Sequence, residues 1–266
     1  MINISFGCYF PLNTIIHRLD PRTKIILTIF AIALAFTATN FYSLGVVCAF
    51  TIIIIATTCV HLKYYLKTIK TILFFIILTA VLNCIYVKGE PWFNVFGLFD
   101  VTYEGAAKAA FLIIRIIMLI MISMVLTFTT TPTELTDAIE RLLLPFKKIG
   151  LDTHSFAMMM TIALRFIPTL LEEADKIMNA QKSRGSDMGT GGLIKKIKAV
   201  IPIIIPLLVS SFRRARELAD AMECRCYTGG KGRTRMKTLS MSLRDILAFF
   251  VVAIMFGAVI FINIIL

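Results

Sequence analysis

Apolar positions follow two different rules along this chain. The first rule is a continuous run. Ile25 to Val60 contains no charged residue across 36 positions, too long for one bilayer crossing, which needs about 20 residues. The turn-like composition of Asn40–Gly45 divides it, which predicts spans over about 25–39 and 45–60. Further uncharged runs predict spans over about 71–87, 109–130 and 246–266. The second rule is three-four spacing. From Asp152 to Ser183, Phe156, Met159, Met160, Ala163, Phe166, Ile167, Leu170, Leu171, Ala174, Ile177 and Met178 form one stripe. Glu172, Glu173, Asp175, Lys176, Asn179 and Lys182 fall on the other side, the mark of an amphipathic helix. Leu193 to Glu223 repeats this plan with Ile194, Ile197, Ile201, Ile205, Leu208, Phe212, Ala215, Leu218, Ala219 and Met222.

The pattern also predicts a shorter helix between these two parts. Thr131-Pro132-Thr133-Glu134 reads as a helix start, with Thr131 as N-cap, proline at the first helical position and Glu134 reaching back. Leu135, Ile139, Leu142 and Leu143 give it an apolar face, and Leu144-Pro145 stops it. The apolar segment 199–212 has 14 residues, short for a crossing. It is expected to stay at the inner face as part of the second long helix, bent by Pro202 and Pro206.

Composition moves this picture into a membrane. Apolar residues make up 58% of the chain, above the ~45–50% of soluble domains. Of 28 basic residues, 19 lie between Pro132 and Arg244, so the apolar bulk and the charged bulk are separate regions. The basic residues are not interleaved with aromatics on a polar domain, which argues against nucleic acid as the partner. Membrane sidedness accounts for them instead. Arg18, Arg22 and Lys24 precede the first apolar run, Lys63, Lys67 and Lys70 follow the second, and Lys231, Arg233, Arg235 and Lys237 precede the last. All fall on one side if the N-terminus is cytoplasmic. The loop from Lys88 to Lys108, with Trp92 and Phe93 at the lipid boundary, then lies outside, as does the C-terminus.

Little in the chain suggests chemistry of its own. Cys48, Cys59 and Cys84 sit in apolar runs, and His17, His61 and His154 are far apart, so no metal spacing is present. No cluster of catalytic side chains forms near a membrane face, which argues against an embedded enzyme, and no cofactor is expected. Gly185–Gly192 follows no strand and lacks the Lys-Ser/Thr pair of a phosphate loop. It is expected to be a flexible link. Arg115 lies inside the fourth span, where a charge is costly. Snorkelling to the outer surface and contact with a partner subunit are the two accounts of it. A stand-alone carrier or channel would line its spans with polar groups, and these spans hold almost none besides Arg115 and Asn83.

What remains is a pair of arginines. Each long amphipathic helix ends in one flanked by small residues, Ser183-Arg184-Gly185 and Cys224-Arg225-Cys226. A guanidinium takes a carboxylate with two parallel hydrogen bonds, and a cation suits the negative end of a helix. For one such arginine an ordinary solvated helix end would suffice. Two, each closing a long helix, point to docking on a partner.

Five segments occur in order: His17–Lys24, Thr130-Thr131-Pro132, Leu164-Arg165-Phe166-Ile167-Pro168, Ala180–Gly185 and Ala221–Tyr227. Together they resemble the transmembrane T component (EcfT/CbiQ family) of energy-coupling factor transporters, over nearly the whole chain. The resemblance implies an all-α integral membrane protein of about five transmembrane helices in the cell membrane. It also implies a cytoplasmic coupling domain of two long amphipathic helices and one shorter helix. The expected division is a four-span membrane domain over 1–131, the coupling domain over 132–241 and a last transmembrane helix over 242–266. The implied role is that of a non-catalytic subunit joining two ATP-binding cassette ATPases to a small substrate-binding membrane subunit. Vitamins are the implied cargo, with cobalt or nickel as the alternative. The implied docking residues are Ser183, Arg184, Gly185, Cys224, Arg225 and Cys226. Cys224 and Cys226 depart from the family's alanine and glycine, so the second helix is expected to end differently from the first.

Overall fold

In the computed structural model the described residues are 9–86, 91–95, 99–145, 153–185, 192–229 and 241–265. The interior of the glycine-rich link and the basic run Lys231–Lys237 lie outside them. Eight helices are present among the described residues: α1 (Pro21–Thr37), α2 (Phe41–Thr58), α3 (Leu62–Tyr86), α4 (Tyr103–Thr129), α5 (Pro132–Leu143), α6 (Thr153–Ser183), α7 (Leu193–Cys224) and α8 (Leu243–Ile265). The all-α class therefore holds, with one addition. In the stretch expected as an outer loop, β1 (Pro91–Val95) and β2 (Phe99–Thr102) pair antiparallel, Phe93 opposite Val101 and Val95 opposite Phe99. Another difference is that α3 begins at Leu62, so Lys63, Lys67 and Lys70, expected between the spans at about 45–60 and 71–87, lie on its first turns. Lysine is a good helix former and its long stem tolerates such a place.

Five of these helices are long and apolar enough to cross a bilayer: α2, α3, α4, α6 and α8. The set differs by one member from the spans expected above, with α6 in place of α1. At 17 residues α1 is about 26 Å long, at the short end of what crosses hydrocarbon. By contrast, α6 carries Glu172, Glu173, Asp175, Lys176 and Lys182 in its last twelve residues, a load that hydrocarbon accepts only at high cost. Its apolar stripe gives it a span-like composition, and its charges set it apart from the other four.

The chain forms two compact units. One is built on Gly7–Ala138 with Leu239–Leu266, and α4 packs there against α1, α2 and α3 while α8 packs against α1 and α2. Leu34, Ala35, Leu44, Val47, Met118 and Val259 form one core cluster, and Ile55, Val60, Tyr65, Val125 and Phe128 a second. Polar ties fix how the helix ends meet. Lys24 Nζ donates to the carbonyls of His17 (3.0 Å) and Thr129 (2.8 Å), joining the start of α1 to the end of α4. Asp245, fully buried, accepts from the backbone N–H of Asp20 (2.9 Å) and of Ser242 (2.7 Å), which sets α8 alongside α1.

At the other end of α1, Arg115 donates to the carbonyl of Ala38 and lies 4.6 Å from the Phe111 ring centroid. Asn263 Nδ2 donates to the carbonyl of Thr37 at 2.7 Å. The last turn of any helix leaves carbonyls without partners. Here a side chain from α4 and another from α8 take them. Arg115 is thus a cap for α1, which neither sequence-based account anticipated. Removing a charge-assisted bond of this kind costs about 1.5–3 kcal/mol. Arg115→Leu is therefore expected to lower the melting temperature of the purified protein by several degrees, and an unchanged melt would remove this role.

The other unit comprises Ile139–Thr238, where α6 pairs with α7. Glu140 meets His154 Nδ1 at 3.5 Å, joining α5 to the start of α6. The start of α5 is as its sequence requires: Thr131 N–H donates to Glu134 Oε2 and Glu134 N–H to Thr131 Oγ1, both at 3.2 Å. Three prolines lie inside long helices, Pro168 in α6 and Pro202 and Pro206 in α7, and neither helix is interrupted by them.

Candidate functional site: two arginine tips

Both arginine motifs stand at helix ends, and the two ends share a conformation. After Ser183 the chain passes through Arg184 to Gly185, which takes φ +82°. After Cys224 it passes through Arg225, at φ −95° and ψ 18°, to Cys226 at φ +54°. Gly185 N–H donates to the carbonyl of Lys182 (3.0 Å), and Cys226 N–H to that of Glu223 (2.8 Å). Tyr227 N–H then reaches back to the carbonyl of Met222 (3.0 Å). That pair of bonds is the Schellman closure, which places its third residue in the left-handed region.

The expectation that the cysteine-bearing end would differ from the glycine-bearing one is therefore corrected. Cys226 turns through the left-handed region as Gly185 does, at φ +54° against +82°, at the cost of about 1 kcal/mol that an L side chain meets there. Cys226→Gly should raise the thermal stability of α7 by about that amount. Cys226→Val, whose branched Cβ tolerates this region worst, should lower it. Equal melting of the two variants would remove the argument.

The six motif residues are all exposed, and neither guanidinium has an ion pair among the described residues. Each arginine is exposed at its helix end, one residue before the left-handed turn. Rigid presentation of a free cation is what a bidentate contact requires.

The two helices are pinned at one place that sequence reading missed. Glu173 on α6 accepts a hydrogen bond from Ser210 Oγ and another from Arg214 Nη2 at 2.7 Å, both on α7. Glu173 precedes Arg184 by 11 residues, and Arg214 precedes Arg225 by the same 11. At 1.5 Å per residue each tip extends roughly 16 Å past the pin. No local pattern in the sequence marks this pair, because Ser210 and Arg214 lie 37 and 41 residues from Glu173.

The Ser210 hydroxyl, with burial opposing and Arg214 assisting, lowers the Glu173 pKa from its ordinary 4.5. A carboxyl lowered on folding contributes stability that is present above pH 4.5 and is lost as pH falls through its folded value. Contacts between α6 and α7 should thus loosen in acid below that pH, and Glu173→Gln should flatten the acid limb of hydrogen exchange in α7.

On the side of the pin away from the tips, both helices leave apolar side chains uncovered. Phe156, Met159 and Met160 are exposed on α6, as are Ile201, Ile204, Ile205, Leu208 and Phe212 on α7. They recur at three-four spacing. The stripe is therefore wider than packing of the two helices on each other consumes. An unpartnered contiguous apolar face of this kind marks a surface for protein or lipid.

Comparison with known proteins agrees with these features. The family described as "Cobalt transport protein", CbiQ, matches residues 12–237. Energy-coupling factor transporter transmembrane protein EcfT of Thermosediminibacter oceani is 46% identical over 249 residues, covering 94% of each chain. The EcfT of Clostridium kluyveri is 49% identical, covering 92% of each, and that of Bacillus subtilis 41% identical with the same coverage. Both the matched span, which takes in the two arginine motifs, and the apolar helices place this chain in the CbiQ/EcfT family, the transmembrane T components of energy-coupling factor transporters.

Proposed function

We propose that α6 and α7 form the coupling element of an importer and that Arg184 and Arg225 each dock in a different ATP-binding cassette ATPase. The single observation that carries this reading is the matched pair of exposed arginines, each on the same terminal backbone and equally far from the pin. Nucleotide-driven closure of two ATPases would pull the two tips together. Helices of 31 and 32 residues, each about 47 Å long, would carry that motion to the membrane. The exposed apolar stripe on both helices suits a substrate-binding membrane subunit, and its methionines adapt to more than one partner. The chain itself is read as non-catalytic, with hydrolysis in the ATPases.

In this reading α1 is a span, α6 and α7 are cytoplasmic, the N-terminus is inside and the C-terminus outside, following the basic loops. Water-soluble vitamins are the proposed cargo. Cobalt or nickel is the second reading, favoured by the description of the matching family, and would require a dedicated capture protein. Purifying the tagged chain from its native membrane and identifying its companions tests the proposal. Two ATPases and a small membrane subunit are expected. A chain that purifies without ATPases and moves solute unaided would overturn it.

A further inference from the structure

We propose that the cleft among α1, α2, α4 and α8 holds one acyl chain of an anionic glycerophospholipid, with the headgroup phosphate on Arg244. The cleft has a volume of about 540 Å³, within the ~300–1,000 Å³ of pockets that hold small molecules. Its lining is apolar apart from threonines and two charged side chains, and both of those are cations, Lys24 and Arg244. They stand at one end, on the first turns of α1 and α8. From that rim the cleft reaches Ala31 and Val252, seven and eight residues along their helices, or roughly 10–12 Å.

The threonines do not make the interior polar. Thr28, Thr51, Thr57 and Thr129 each donate to a carbonyl of their own helix, which leaves their methyl groups to the space. A peptide entering here would find no partners for its backbone, and burying unpaired amides is costly. A hydrocarbon chain needs none. Among its lining residues Ile15, Ile53, Leu247 and Val251 are exposed, so the cleft opens to an apolar outer surface, as a chain entering from the bilayer would require. Lys24 already spends two protons on the carbonyls of His17 and Thr129. Arg244 is exposed, and its guanidinium makes no ion pair among the described residues. It is the cation left to meet a phosphate, and a guanidinium does so with paired hydrogen bonds.

The full chain is reconstituted in nanodiscs of phosphatidylcholine and phosphatidylglycerol, released into mild detergent and weighed by native mass spectrometry. One retained phosphatidylglycerol per chain is expected, preferred over phosphatidylcholine by roughly five-fold, the worth of one cation at an anionic surface. Arg244→Gln should erase the preference while lipid is still retained, and Ala248→Phe, which fills the cleft, should reduce retention of both. A photoreactive phosphatidylglycerol acyl chain on the unmodified protein gives an independent reading and should label peptides of α1, α2 or α8 lining the cleft. Equal retention of the two lipids, indifference to Ala248→Phe in a folded chain, or labelling confined to other surfaces would each overturn the proposal.

Discussion

Replacing both Arg184 and Arg225 with glutamate is expected to abolish ATP-driven uptake and to strip the ATPases from the purified chain. Both side chains are exposed on rigid helix ends, so the substitutions leave packing within the chain untouched. Truncating an arginine at the centre of an interface costs about 2 kcal/mol or more, roughly thirty-fold in affinity, and reversing its charge costs more. The single variants separate the two sites: each should release one ATPase while the other is retained. Counting ATPases per chain by quantitative mass spectrometry checks this. Undiminished uptake by the double variant would discard the docking assignment.

Glu173→Lys is expected to leave both ATPases bound and yet reduce transport per ATP hydrolysed. The substitution removes a cross-helix ion pair worth up to ~1 kcal/mol and sets a like charge against Arg214, which doubles the loss. Together these shift the population of the pinned arrangement by roughly thirty-fold. The tips remain intact, because the pair lies 11 residues before each of them. Exchanging the charges, with Glu173→Lys and Arg214→Glu together, should restore much of the yield. The ratio of solute imported to phosphate released in proteoliposomes is the measurement. A ratio unchanged in the single variant would show that the contact holds nothing that transport uses.

Local signals in the sequence were reliable where the structure they specify is local. Thr131 and Glu134 lie three residues apart, and their reciprocal bonds form as the motif demands. The ends of α6 and α7 were legible for the same reason, since spacing and a terminal arginine lie within one segment. What stayed hidden involves distance along the chain. Arg115 finds its carbonyl partner 77 residues away, Glu173 its partners 37 and 41 residues away, and no local pattern announces either meeting. Two errors have other causes. The strands Pro91–Val95 and Phe99–Thr102 were taken for loop because Pro91 and Gly97 outweighed a short alternation, and α3 was started late because Lys63, Lys67 and Lys70 were read as lying between spans. Cys226 misled through a preference: glycine is favoured in the left-handed region, but two hydrogen bonds closing the turn outweigh the strain of a small side chain there.

The interior prolines acquire a meaning from where they fall. Pro168 lies ahead of Glu173 on α6, and Pro202 and Pro206 lie ahead of Ser210 on α7, while the segments from there to each tip contain none. A proline has no N–H to give, so the carbonyls of Leu164, Lys198 and Pro202 lose their usual donors and the rod yields more easily at those turns. Each arm is thus stiff on the tip side of the crossing and compliant on the far side. In the proposed coupling role, a thrust arriving at the arginines would reach the junction along a stiff segment, and past it the same stroke could be steered, as through a universal joint, to the angle a cargo subunit presents.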